Sequence, residues 1–156
     1  MNFCGYEPTD LVNGDGVRTT LWVSGCSHHC AGCFNQKSWS YSYGNPFSDE
    51  DLSRVLADMG RPFIRGLSIL GGEPLDPYNI NGVTKVIDRV REEFGDSKSI
   101  MVWTGYLFED VDISIKKKVD IIMDGKYDKD KPTNKIFRGS DNQRMWVKID
   151  GEWEVR

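Results

Sequence analysis

Residues 17–33 read VRTTLWVSGCSHHCAGC, a run of β-branched and aromatic residues that passes within two positions into three closely spaced thiols. Val17 to Ser24 has the composition of a buried strand, so Cys26, Cys30 and Cys33 leave its C-terminal end. Three of the chain's four cysteines sit there, and the loop is therefore the place to look for chemistry. Three thiolates at Cys-x3-Cys-x2-Cys spacing can ligate three irons of a four-iron cluster, leaving the fourth iron open to a substrate or cofactor. The alternative on this stretch is a zinc site with His28 or His29 as fourth ligand.

Working outward, the chain of 156 residues is long enough to bury a core, and residues 1–156 read as a single domain. With 38% hydrophobic and 28% charged residues it has the balance of a folded soluble protein rather than a disordered one. A net charge of -4 argues against a general nucleic-acid or membrane-surface binder, which needs a basic face to meet phosphates. No apolar run approaches a membrane span, and Glu7 and Asp10 close behind Met1 do not fit a secretory signal. A cytoplasmic location is expected, where clustered cysteines serve as metal ligands more often than as disulfides. Cys4, without a neighbouring thiol, reads as a free structural residue.

The opening residues look turn-rich, up to the Asn13-Gly14-Asp15-Gly16 turn. Residues 25 to 47 form a long polar and aromatic loop, of a length that is uncommon unless functional. Ser48 and Asp51 resemble a capping box ahead of a helix carrying Leu52, Val55, Leu56 and Met59. Gly66 to Leu70 is a short strand that runs straight into Gly71-Gly72-Glu73-Pro74. Asp76 and Pro77 suit the cap and first position of a second helix, which tracks Ile80, Val83, Ile87, Val90 and Phe94 to Gly95. Ser99 to Thr104 is a third strand, Leu107 to Lys118 a weaker helix, and Val119 to Met123 a fourth strand. The order β-α-β-α-β-α-β predicts an α/β fold with a mostly parallel sheet. Residues 124 to 144 form a second polar loop. Asp150-Gly151 between two alternating arms then predicts a C-terminal β-hairpin, with Trp146 or Trp153 over the core. Lys116, Lys117 and Lys118 read as a solvated helix end.

Loops that follow parallel strands gather at one sheet edge. That edge would collect the cysteine loop, Gly71 to Pro74, Thr104-Gly105-Tyr106 and Asp124-Gly125-Lys126. Gly71 and Gly72 let a backbone come close to a ligand, although a tight turn ended by Pro74 explains them equally. Glu73 either orders its loop or meets an ammonium group. Asp124 and Lys126, two residues apart, would point the same way if extended and offer opposite charges to a zwitterion.

With these residues in view, the chain resembles the radical S-adenosylmethionine superfamily. Cys26, Cys30 and Cys33 match its cluster motif, and Gly71-Gly72-Glu73-Pro74 its segment for the methionine amino group. Asn13 to Arg18, Ser24-Gly25-Cys26 and Cys33-Phe34-Asn35 are similar to the glycyl-radical-enzyme activases. Trp103 to Tyr106, Asp124 to Tyr127 and Arg138 to Gln143 look like the activating component of anaerobic ribonucleotide reductase. Where the superfamily commonly has an aromatic residue before the third cysteine this chain has Gly32, and Phe34 follows instead.

The resemblance implies a truncated, partial TIM-like (β/α) barrel, open enough to admit a protein loop and closed only when the partner docks. It implies a [4Fe-4S] cluster on Cys26, Cys30 and Cys33, with S-adenosylmethionine on the fourth iron. Gly71, Gly72, Glu73, Pro74, Thr104, Asp124, Lys126, Phe34 and Asn35 would be cofactor-binding, with a monovalent cation beside Asp124. Asn142 and Gln143 would lie at the partner or cofactor edge, and His28 and His29 would face solvent or a partner. The implied reaction is reductive cleavage of S-adenosylmethionine, the resulting 5′-deoxyadenosyl radical taking hydrogen from a glycine of the reductase catalytic subunit. Electrons would come from an external donor such as flavodoxin. The rival readings are a small-molecule radical enzyme similar to 7-carboxy-7-deazaguanine synthase, and a zinc-binding interaction module.

Overall fold

In the computed structural model, which describes residues 1–156, Asn2–Asp10 is an extended strand, β1, where the sequence reads as a turn-rich opening. Gly5 and Pro8 hide it, since both are poor strand residues except at edges and irregularities. The pairing is irregular at just these places, between Phe3 and Gly5 and between Glu7 and Asp10. Asp10 ends the strand by accepting the Val12 N–H (2.7 Å) and the Asn13 side-chain amide (2.7 Å). Val17–Val23, β2, then returns antiparallel to β1. The loop after it contains a short 3-10 turn at Gln36–Trp39 and a two-residue strand, β3 (Asn45–Pro46), on the outer edge of β1.

Helix α1 (Asp49–Met59) starts with the expected capping box. Ser48 Oγ accepts the Asp51 N–H at 3.2 Å, and Asp51 accepts the Ser48 N–H at 2.9 Å. Ser48→Ala is expected to lower the unfolding free energy by about 1 kcal/mol, measured by urea denaturation. Strand β4 (Ile64–Gly71) and helix α2 (Ile80–Phe94) follow. Asp76 and Pro77 do not begin that helix. The helix starts at Ile80 with Asn79 in the cap position, about one turn later than expected. Asp76 still accepts the Tyr78 N–H (3.0 Å) and its carbonyl the Ile80 N–H (2.9 Å) ahead of the helix, while its other carboxylate oxygen takes Ser27. After β5 (Ser99–Trp103), the helix expected over 107–118 is a 3-10 turn at Phe108–Asp110 and a short α3 (Ile113–Lys118) capped by Asp112. Strand β6 (Ile121–Asp124) leads through a loop without regular structure to β7 (Arg144–Ile149) and β8 (Glu152–Val155). Asp150 (φ 52°) and Gly151 (φ 86°) make the left-handed two-residue turn that their sequence demands.

All eight strands share one sheet, in the order β3-β1-β2-β4-β5-β6-β7-β8. The mixed α/β class stands, but the sheet is open and the truncated-barrel expectation is not confirmed. Nor is the sheet mostly parallel. Parallel pairing is confined to β2/β4, β4/β5 and β5/β6, while β1/β2, β1/β3, β6/β7 and β7/β8 are antiparallel. The antiparallel strands border the parallel block on both sides, which the β-α alternation of its middle part does not reveal.

The core lies on one face of this sheet. It takes alternate strand residues, Val23, Leu67, Ile69, Ile100, Val102 and Ile122, and packs them against residues of all three helices, such as Val55, Ile87 and Ile115. Trp146 and Trp153 close its end by packing on Phe108, with ring centroids 4.2 and 5.2 Å away. On the opposite face, at the start of the parallel strands, Arg18 is fully buried with no carboxylate partner. Its guanidinium donates to Ser68 Oγ (2.7 Å), Ser99 Oγ (2.8 Å) and the Leu67 carbonyl (2.7 Å), tying β2 to β4 and β5. Burial lowers its pKa to about 10, which leaves it protonated at neutral pH.

Candidate active site

The face that the helices leave uncovered holds a cavity of about 510 Å³. Trp22, Leu70 and Trp103 form its floor. They fall on one face because Trp22 pairs with Leu70 across β2/β4, and because Leu70 and Trp103 each follow a residue of the helix-facing core, Ile69 and Val102, that pair across β4/β5. At the C-terminal strand ends the wall is built by Cys26, Cys30 and Cys33, by Gly71 to Glu73, and by Thr104 and Gly105. Val12 and Asn13 lie at its other end. Loops after β2, β4, β5 and β6 therefore meet at one place, as the topology leads one to expect.

The cysteine loop is shaped by its own backbone. The Cys33 N–H donates to the Cys30 carbonyl (3.1 Å), with His29 (φ 46°) and Gly32 (φ 74°) in left-handed conformations around Cys30. Cys26 is buried, and Cys30 and Cys33 are half-buried. Burial pushes the Cys26 thiol up, and the backbone N–H groups of His28 and His29, donating toward it, only partly offset this. The Asn35 N–H points at Cys33 Sγ (3.4 Å). Donors aimed at sulfur suit thiolate ligands, so the three cysteines fit an iron–sulfur cluster. Neither histidine joins the sulfurs as a fourth ligand for zinc would, since His28 Nε2 is bonded to Glu73 and His29 stacks on Trp39.

Glu73 is the centre of a hydrogen-bond network at the cavity wall. Its carboxylate accepts from the Leu75 N–H (2.9 Å), Thr104 Oγ1 (2.8 Å) and the Gly105 N–H (2.7 Å), and pairs with His28 Nε2 (2.8 Å). It is 1% exposed, and these partners occupy both of its oxygens. Glu73 thus orders its own loop, Thr104 joins the same network, and both residues line the cavity. His28 departs from expectation: its side chain is 7% exposed, bonded to Glu73 and edge-on to Tyr106 at 4.7 Å, rather than turned to solvent. His29 is exposed and stacks on Trp39. The glycines answer to packing as well. A Cβ on Gly72 would stand 2.5 Å from the Gly25 carbonyl, and one on Gly105 2.4 Å from the His28 ring.

Asp124 also requires correction. It lies on the helix-facing side of β6, two residues from core residue Ile122, and is fully buried outside the cavity. Its carboxylate accepts the Phe108 N–H (2.7 Å) and Trp146 Nε1 (3.2 Å) and is paired with Arg144, leaving it no part in holding a zwitterion or cation. Gly125 (φ 97°) breaks the strand alternation, so that Lys126 alone of the pair reaches the cavity wall, and is exposed. Pro74 is buried and does not line the cavity, whereas Asn35 does. Phe34, 80% exposed, stands at the cavity edge against Tyr127, with ring centroids 4.7 Å apart. Asn142 and Gln143 brace the loop by donating to the Lys126 (2.8 Å) and Gly125 (2.8 Å) carbonyls. Cys4 lies outside the cavity, its thiol directed at the Val23 carbonyl. The floor residues Trp22, Leu70 and Trp103 escape sequence reasoning because strands buried on both faces show no alternation; only the register separates their two sides.

Residues 12–146 match the family model of a 4Fe-4S single cluster domain. The chain is 41% identical over 155 residues to the anaerobic ribonucleoside-triphosphate reductase-activating protein of Enterobacteria phage T4, covering 99% of both chains. It is 40% identical over 149 residues to the protein of the same name from Escherichia coli (strain K12), covering 92% of this chain and 96% of that one. To the Vibrio cholerae protein of that name it is 41% identical over 149 residues, with the same coverage.

Proposed function

The chain belongs to the anaerobic ribonucleoside-triphosphate reductase-activating proteins, and from that premise we propose that it is a radical S-adenosylmethionine enzyme that installs a glycyl radical on an anaerobic ribonucleotide reductase. One observation carries the reading: the three thiols, the Gly71-Gly72 backbone and the loop after β5 meet in a single cavity that opens on the uncovered face of the sheet. What the [4Fe-4S] cluster and S-adenosylmethionine supply when bound is reductive cleavage of the sulfonium, giving methionine and a 5′-deoxyadenosyl radical able to take hydrogen from a glycine Cα.

The protein's part is to hold and to exclude. Cys26, Cys30 and Cys33 would hold the cluster as thiolates, and a cluster with three protein ligands would keep a position open for the cofactor. Gly71 and Gly72 present backbone groups at the strand end, and the Lys126 ammonium stands where it can meet a carboxylate. Phe34 and Asn35 flank the third cysteine at the cavity edge. Trp22, Leu70 and Trp103 give the floor an apolar surface that keeps water from a reactive radical. The reductase subunit is the macromolecular substrate, and an external donor such as flavodoxin supplies the electron. No helix is long and apolar enough to cross a membrane, and we place the activity in the cytoplasm, in a single domain.

The test is anaerobic reconstitution followed by mixing with purified reductase subunit, S-adenosylmethionine and reductant. A stoichiometric radical on the reductase glycine is the expected result. Cofactor cleavage indifferent to the reductase, with turnover of a small molecule instead, would overturn the assignment.

A further inference from the structure

We propose that Asp76 and Asn79 are positioning residues that hold the first half of the cysteine loop in its ligand-bearing shape before any cluster is present; this rests on the reading of that loop as the cluster site. From Glu73 onward the chain turns in steps of three. The Asp76 N–H donates to the Glu73 carbonyl (3.2 Å) and the Asn79 N–H to the Asp76 carbonyl (2.8 Å). Glu73, Asp76 and Asn79 are 1%, 3% and 0% exposed, and all three grip residues 24–28. Glu73 takes His28. Asp76 accepts Ser27 Oγ (2.8 Å), together with Tyr41 Oη (2.9 Å) from the far side of the same loop. Asn79 Nδ2 donates to the Ser24 (2.9 Å) and Gly25 (3.2 Å) carbonyls, and to that of Glu73 (3.0 Å).

Two features set this clamp apart from ordinary packing. Asp76 is a buried carboxylate with no Lys or Arg partner, beside a loop that is itself to carry three thiolates. Like charge there is unfavourable, and its retention needs the donors that Ser27, Tyr41 and the Tyr78 N–H (3.0 Å) provide. Asn79 Oδ1 is buried without a partner, and the bonds this side chain makes all run from Nδ2, two to the loop carbonyls and one to that of Glu73. The first residues of the loop are also held by backbone bonds, Ser24 N–H to the Asn2 carbonyl (2.9 Å), Gly25 N–H to the Ser38 carbonyl (2.7 Å), Cys26 N–H to the Trp39 carbonyl (3.1 Å) and Glu73 N–H to the Gly25 carbonyl (2.8 Å), whereas Ser27 and His28 make no backbone–backbone bond. Freed from the clamp, Ser27 and His28, which lead from Cys26 toward Cys30, would sample many positions and the ordering would fall to the cluster.

The experiment uses the full chain in two states. In the metal-free protein, Asp76→Ala and Tyr41→Phe are expected to speed hydrogen exchange at residues 24–28 while leaving helix α2 protected. After anaerobic reconstitution with iron and sulfide, Asp76→Ala is expected to hold iron about 10-fold more weakly, the scale on which outer residues orient metal ligands. Its reduced cluster should also show altered electron paramagnetic resonance on adding S-adenosylmethionine, and Asp76→Asn should restore part of both. Ser48→Ala, which weakens α1 away from the loop, should match wild type in iron retention. Unchanged exchange at residues 24–28 in both clamp variants would overturn the proposal, as would iron loss in Ser48→Ala equal to that in Asp76→Ala. Wild-type protein that takes up no iron would instead overturn the reading of the site itself.

Discussion

Cys26→Ala, Cys30→Ala and Cys33→Ala should each abolish cofactor cleavage, while Cys4→Ala retains it. The reason is the division of labour in the cysteine loop. On the proposed ligation three thiolates would hold three irons, and loss of one would leave a cluster corner without a protein ligand. The rate loss should exceed the roughly 10–100-fold that outer-shell changes at metal sites cost. It should be accompanied by loss of iron on gel filtration. Cys4 sits on β1, away from the cavity, with its thiol directed at the Val23 carbonyl. Its replacement should alter packing alone. Comparison of cleavage rate with iron content per chain across the four variants checks the assignment, and a Cys4→Ala protein as inactive as the others would contradict it.

The second large effect is on stability. Arg144→Met is expected to lower the unfolding free energy by about 3 kcal/mol, because it strands a buried carboxylate. Asp124 is 0% exposed, and Arg144, with Glu109 on its outer side, supplies the only cation paired with it. The figure sits at the low end of the usual range for broken buried pairs because the Arg144 side chain is 34% exposed, which lets water follow the lost guanidinium. Urea denaturation measures it directly. Asp124→Asn should likewise be felt first in stability, with little change in affinity for S-adenosylmethionine. Weakened cofactor binding at unchanged stability would return Asp124 to the site.

That residue also marks the limit of what the sequence discloses. Asp124-Gly125-Lys126 was legible as an unusual strand end, and the gathering of such ends at one edge followed from topology alone. Which side chains turn into the cavity did not. Asp124 shares the helix-facing parity of Ile122, and the turn at Gly125 then sends Lys126 the other way. Glu73 and His28 tell the same story: their pairing joins residues 45 apart, a distance across which no local pattern operates. Helix α1, the body of α2 and the terminal hairpin could be read because capping, period and Asp-Gly turn chemistry are local, whereas the six-residue α3 is too short to carry a period of its own. Strand β1 could not, since its Gly5 and Pro8 suit irregular edge pairing, and without β1 and the placing of β7 the sheet looked more parallel than it is.

The clamp of Asp76 and Asn79 and the ligand set of Cys26, Cys30 and Cys33 serve one claim, that this fold presents a radical-generating cluster to a protein backbone. The most direct measurement is electron paramagnetic resonance of the anaerobically reconstituted, reduced protein, mixed with S-adenosylmethionine and purified reductase subunit. The expected spectrum gains a radical whose hyperfine splitting collapses when the reductase carries deuterated glycine. A stable cluster signal that yields no radical on the reductase, or a colourless protein containing zinc alone, would contradict the account.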